Sequence, residues 1–255
     1  MTKRIRRVAA LVVALTLALG ATASGIDACI GPLCVSSTIE MQPRELPAKG
    51  NAPITLESTT RVRTKDSSTP PTLDAIDFLI DKHGVVNSRA FPVCPRSKLE
   101  GATTAQARKR CAGALVGKGT GKALVTMPGK APFQISSPVS FFNAAPTGGK
   151  PTVIAHAYET VPAPQALLVP IVIERVAKGR YGFHVRVEMP EVAGGFGAPT
   201  LAEASVGATI EHKGKRVGFI SAHCSGGRLQ VEGNLTFTNG DRFPTTLTSP
   251  CHTPR

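Results

Sequence analysis

The residues with the plainest capacity for chemistry lie together near the C-terminus, in Ser221-Ala222-His223-Cys224-Ser225-Gly226-Gly227. Serine beside histidine is the raw material of a nucleophilic hydrolase, in which the imidazole takes the hydroxyl proton and an aspartate orients the ring. The only acids that follow are Glu232 and Asp241. The competing reading is structural: a disulfide cysteine at a strand end, followed by a Gly-Gly turn. His156 and His184 fall in alternating segments expected as strands, where they could meet across a sheet and hold a metal. No carboxylate stands at a supporting spacing, so hydrogen-bonded or solvated histidines are the expectation. His83 sits at the tip of the turn Lys82-His83-Gly84 and is expected to be exposed and inert. Asp74, Asp77 and Asp81 hint at calcium or acid–base work. Calcium takes about six to eight oxygens, usually from a curled loop, whereas Asp77 and Asp81 share one strand face, expected to be the wet one. Gly117, Gly119 and Gly121 lack the Lys-Ser/Thr and the helix of a phosphate loop. Asn234-Leu235-Thr236 matches the glycosylation triplet. The residues thus assign no catalytic side chain, no metal ligand and no cofactor.

The elements that position these residues begin with sulfur. Six cysteines, an even number, read as disulfides in an exported chain. Of the many pairings open to them, nearest neighbours give Cys29–Cys34, Cys94–Cys111 and Cys224–Cys251. Each of the last two closes a loop worth about 3 kcal/mol in the loop-entropy account. Zinc favours short paired spacings such as C-x₂-C, and the chain has none.

Export is read from the N-terminus. Lys3, Arg4, Arg6 and Arg7 precede the apolar residues 8–19, and Ala21-Thr22-Ala23 offers small residues for cleavage after Ala23. A spanning helix needs roughly 20 apolar residues, more than this run supplies. Residues 1–23 are therefore expected as a signal peptide, and the mature chain as secreted or on the cell surface, with no transmembrane segment. Ile26-Asp27-Ala28-Cys29 loosely matches a lipobox, but Asp27 departs from its small or apolar pattern. Lipidation would take Cys29 out of the disulfide set.

Removing residues 1–23 leaves 26 basic against 17 acidic residues, a net charge of +9. Such a chain favours anionic surfaces, a cell-envelope polymer or lipid headgroups among them; the competing and preferred reading is a soluble exported domain whose charge is spread over solvated strand faces. With aromatic content at 5% and no Trp, the ring platforms on which single strands stack are scarce, so nucleic acid is not expected. The basic clusters Arg108-Lys109-Arg110 and Lys213-Lys215-Arg216 are expected as solvated ends of elements.

Hydropathy fixes the fold class. Ile54, Leu56, Ser58, Thr60 and Val62 alternate with Thr55, Glu57, Thr59, Arg61 and Arg63, the period of a half-buried strand. Similar segments follow at 76–81, 85–86, 114–125, 133–142, 152–159, 166–176, 181–189, 204–212, 217–224, 228–238 and 241–248. Asn239-Gly240 and Lys213-Gly214 read as hairpin turns, and Lys82-His83-Gly84 as another. One short helix is expected from residue 103 to 110, capped by Thr103 or Thr104, its C-terminal cations facing the helix dipole. About eleven short strands point to an all-β, two-sheet sandwich. Residues 24–52 are expected as a mobile leader, extended only at 35–41, and 53–255 as one domain, with 146–151 the alternative point of division.

Two resemblances complete the reading. The Ser221–Gly227 run is similar to the histidine and serine signatures of trypsin-like proteases, which in those enzymes lie far apart; here they touch, and Ser225 lacks the preceding acid. Phe91-Pro92-Val93-Cys94, the Ala-rich run to Cys111, Gly113-Ala114-Leu115-Val116-Gly117, Gly149-Lys150-Pro151 and Ala193-Gly194-Gly195-Phe196-Gly197 together resemble a group of uncharacterised exported proteins of high-GC bacteria. That resemblance implies export and β architecture and no activity. The expected function is a non-catalytic secreted or cell-surface structural or binding module with a basic surface. The alternatives are a binder of a small apolar ligand or lipid among Val169, Ile171, Ile173, Val185 and Val187, and a secreted hydrolase.

Overall fold

Alternating side chains need a sheet with one dry face, and the computed structural model, which describes residues 24–254, builds from them one long sheet and a separate two-stranded ribbon. The expected signal peptide lies outside the described residues. In chain order the strands are β1 (Ser24–Ile30), β2 (Leu33–Gln42), β3 (Ala52–Thr64), β4 (Leu73–Asp81), β5 (Gly84–Val86), β6 (Leu115–Val125), β7 (Phe133–Thr147) and β8 (Lys150–Glu159). They continue as β9 (Gln165–Lys178), β10 (Tyr181–Glu188), β11 (Gly197–Val206), β12 (Thr209–His212), β13 (Lys215–Gly218), β14 (Ile220–Ala222), β15 (Arg228–Phe237) and β16 (Arg242–Pro250).

Twelve of them run in the order β1-β2-β3-β11-β6-β7-β8-β9-β10-β4-β15-β16, every neighbour antiparallel. The sheet curls until β16 meets β2, where the Met41 amide donates to Ser249 Oγ at 3.1 Å. Beyond the strands the two ends continue side by side, with Leu46 N donating to the His252 carbonyl and His252 N to that of Arg44. The expected two-sheet sandwich is thus corrected to a nearly closed, barrel-like sheet. A long sheet twists, and this one brings its last strand round to its first rather than splitting in two.

The expected leader is corrected as well. Residues 24–42 form β1 and β2 inside the sheet, and Leu33, Val35, Met41 and Leu46 are buried. Pro32 and Pro43 hide this in the sequence, yet they fall just outside strand residues, where a missing N–H costs no ladder bond. The expected strand 204–212 is corrected to two: β11, which starts earlier at Gly197 and ends at Val206, and the separate β12, Thr209–His212. The Gly, Pro and Ala content of β11 carries little intrinsic strand preference, and its ladder is made by β3 and β6 on either side. Gly148 and Gly149, both at positive φ, turn β7 directly into β8 within the same sheet.

The hairpins at Lys213-Gly214 and Asn239-Gly240 form as expected. That at Lys82-His83 does not: β5 leaves β4 and pairs with β14 instead. The helix α1, Thr104–Arg110, carries a capping box between Thr103 and Gln106. It lies on the outer face of β7 and β8 rather than on a sheet edge, its segment burying Leu99, Ala102 and Ala107 against Phe142 and Ile154. All three nearest-neighbour disulfides are present: Cys29–Cys34, Cys94–Cys111 and Cys224–Cys251. The inner face packs Phe183, Val185 and Val187 with Ile173, Phe91 and Phe219. Each such burial is worth about 1.5–3 kcal/mol.

Candidate functional site

At one end of the barrel the three-strand patch β3-β14-β5 sets its terminal residues side by side. Ala222 of β14 faces Ala52 of β3 and Gly84 of β5. The next residue on each strand is therefore His223, Asn51 and His83. The ladder continues one step, with His223 N donating to the His83 carbonyl at 3.2 Å. The two imidazoles meet edge to face with centroids 4.9 Å apart, and the Cys224–Cys251 bridge pins the strand immediately beyond.

Asp81, at the end of β4, holds this cluster from behind. Its Oδ1 accepts from His83 Nδ1 at 2.6 Å and from the His83 amide at 3.1 Å. Its Oδ2 accepts from Arg180 Nε at 3.0 Å and from the Gln230 amide at 3.2 Å. The carboxylate is buried, 2% exposed, and fully engaged. The expected wet face for Asp81 and the expected exposed tip for His83 are both corrected: Asp81 is buried and His83 half-buried. A period-two reading could not see Arg180, in the turn before β10, and Gln230 of β15 arriving to satisfy the acid. On the far side, His223 Nδ1 bonds Asn51 Oδ1 at 2.9 Å.

This arrangement contains no nucleophilic relay. Ser221 is buried and its hydroxyl accepts from Asn87 Nδ2 at 3.1 Å. Among the described residues no hydrogen bond joins Ser225 to either histidine. The protease-like run therefore serves as a strand end, a disulfide and a turn built on Gly226 and Gly227 at positive φ.

A second concavity lies on the outer face of β9, β10, β4 and β15. It measures about 330 Å³ and is lined by Asp77, Val176, Lys178, His184, Glu232 and Asn234, among others. Here His184 Nε2 bonds Asp77 Oδ1 at 3.2 Å, while Arg186 donates to Oδ2 at 2.9 Å. Asp77 is thus committed on both oxygens, and the lining offers no serine or cysteine. The inner apolar cavity near the closure, lined by Ile39, Met41, Leu56 and Leu229 among others, holds only about 40 Å³. Small-ligand pockets run to about 300–1,000 Å³. Val169, Ile171, Ile173, Val185 and Val187 pack against one another in the core.

His156 and His184 do not meet. On β9 they face Leu168 and Glu174 respectively, on different parts of that strand. Among the described residues no group of three or more His, Cys, Asp or Glu is placed to hold a metal. His156 is fully buried beneath the α1 segment, with Nε2 donating to the Ala102 carbonyl at 2.9 Å and Nδ1 unpartnered. Burial holds its pKa below the ordinary histidine value against the pull of the Ala102 bond, and the Arg108 charge adds to the lowering. The unfolded chain then takes up a proton that the native one refuses, so stability is full above about pH 6.5 and falls as the pH drops below it. His156→Gln is expected to flatten this slope by up to about 1.4 kcal/mol per pH unit, read from denaturant midpoints between about pH 6.5 and 4.5. Parallel wild-type and variant curves would contradict it.

The third feature is electrostatic. On the outer face, Arg61 of β3 and Lys122 of β6 flank Leu201 of β11, one on each side. Lys118 of β6 stands opposite Ser140 of β7, whose hydroxyl accepts from Arg108 Nε of α1 at 2.8 Å. The acids on these strands are Glu203, 3.8 Å from Arg61, and Glu57 towards the other end of β3. Lys118 and Lys122 have no acid partner among the described residues, so this face carries a cationic surplus. Arg108, expected as a solvated end, is instead docked on the sheet.

The fold and these features define a disulfide-held, antiparallel, barrel-like β protein. Its three disulfides suit an oxidising, extracytoplasmic compartment. No helix among the described residues is long and apolar enough to cross a membrane. The sequence matches no protein-family model and no curated protein.

Proposed function

We propose that the protein is a non-catalytic, extracytoplasmic binding module that holds an anionic cell-envelope polymer on the cationic face of β3, β11, β6 and β7. The supporting observation is the placement of Arg61, Lys118, Lys122 and Arg108 on one outer face, with Glu203 and Glu57 as the acids among them. A repeating polyanion suits such a surface because each cation contributes modestly and the contributions accumulate along the chain. Attraction of this kind is screened over about 10 Å at 0.1 M salt.

The test is co-sedimentation with a phosphate-bearing wall glycopolymer, with a neutral glycan as control. Retention is expected at low ionic strength, lost as salt rises. Reversing both charges, Lys118→Glu with Lys122→Glu, is expected to weaken retention at least about tenfold, which corresponds to about 1.4 kcal/mol. Both side chains face outwards, so an unchanged far-UV spectrum should accompany that loss. Equal binding of the neutral glycan, or retention indifferent to the double reversal, would exclude this reading.

A further inference from the structure

We infer that His83 and His223 form a two-imidazole site for a divalent transition-metal ion of the zinc, nickel or copper kind. Each ring commits Nδ1 to an oxygen: His83 to Asp81 Oδ1 at 2.6 Å, His223 to Asn51 Oδ1 at 2.9 Å. Hydrogen bonds of this type place the ring proton on Nδ1 and leave the Nε2 lone pair bare. Metal-bound histidines are oriented in this way, the outer oxygen fixing the tautomer and raising the basicity of the ligating nitrogen. Both Nε2 atoms are without a hydrogen-bond partner among the described residues.

Position supports the assignment. The rings are neighbours because β14 pairs with β3 and with β5 at one level, and their centroids lie 4.9 Å apart. The backbone bond between His223 N and His83 O, the Cys224–Cys251 bridge and the four bonds to Asp81 fix both main chains and one ring. A site built on such supports is preorganised rather than assembled by the ion. Imidazole nitrogen suits zinc, copper and nickel, whereas calcium and magnesium want oxygen. With two protein ligands, the remaining positions belong to water or to a donor from a partner, so the ion is exchangeable and its affinity moderate. The site uses no residue of the cationic face.

Zn²⁺ titrated into the mature protein, followed by calorimetry and by ¹⁵N resonances of the histidine rings, tests this. One equivalent should bind, shifting the Nε2 signals of His83 and His223 while their Nδ1 protons persist. His83→Gln and His223→Gln should each weaken binding at least about tenfold. Asn51→Ala, which removes only the outer oxygen, should weaken it by about tenfold, and His184→Gln should leave it unchanged. The wild-type ¹⁵N shifts decide the matter even where a variant folds poorly. Unmoved Nε2 signals of His83 and His223, or affinity that survives both histidine substitutions, would overturn the inference.

Discussion

Asp81→Ala is expected to cost about 3 kcal/mol, at the lower edge of the range for breaking a buried ion pair by removing one partner. The carboxylate is 2% exposed and accepts four hydrogen bonds, two of them from main-chain amides. Its loss strands the His83 and Gln230 amides and leaves the Arg180 guanidinium without its counter-charge. Arg180 is about one-third exposed, so water recovers part of its solvation and keeps the loss near the lower edge. For a domain of this size the melting midpoint should fall by about 6–12 °C. Asp81→Asn retains the shape and an acceptor oxygen and should cost clearly less. Thermal melts of the two variants give the comparison, and equal, small losses for both would show that the acid is not the keystone of this end of the barrel.

Gly119→Ala should also cost about 3 kcal/mol, with the methyl group alone as the cause. A Cβ at Gly119 would overlap the Glu203 carbonyl oxygen and lie 3.2 Å from the Ala204 Cα, both on the neighbouring strand β11. Backbone on a paired strand cannot step aside as a flexible side chain would. Gly121, two residues along the same face of β6, is the internal control. Its Cβ would meet only Val139 Cγ2, at an ordinary 3.8 Å. Gly121→Ala should therefore be neutral or stabilising by about 0.4–1 kcal/mol, since alanine restricts the unfolded chain. Denaturant unfolding of the pair separates close approach from a general preference for glycine. Equal effects at the two positions would contradict it.

These glycines illustrate what a linear reading misses. Their failure to make a phosphate loop is legible from the residues that do not follow them. Their actual role, letting β6 and β11 crowd together, depends on which strand becomes the neighbour. The same holds for the candidate site. His83 and His223 are far apart in the chain and join only because β5 abandons the hairpin with β4 for a place beside β14. Asp81 reads as a residue of a wet face until Arg180 and Gln230 arrive from elsewhere. His156, expected on a strand, is found there, yet its burial comes from the α1 segment laid across it.

Local chemistry alone was enough for the strand periods of β3 and β15, the capped helix after Thr103, the Lys213-Gly214 and Asn239-Gly240 turns, and the neighbouring cysteine pairs. Each depends on residues a few positions apart, where side-chain direction and backbone preference act directly. The closure of the sheet, the inclusion of residues 24–42, the acid buried at Asp81 and the meeting of two imidazoles were decided by tertiary structure. Strand order and register are set by burial and pairing summed over the whole chain, and no short window of sequence carries that sum.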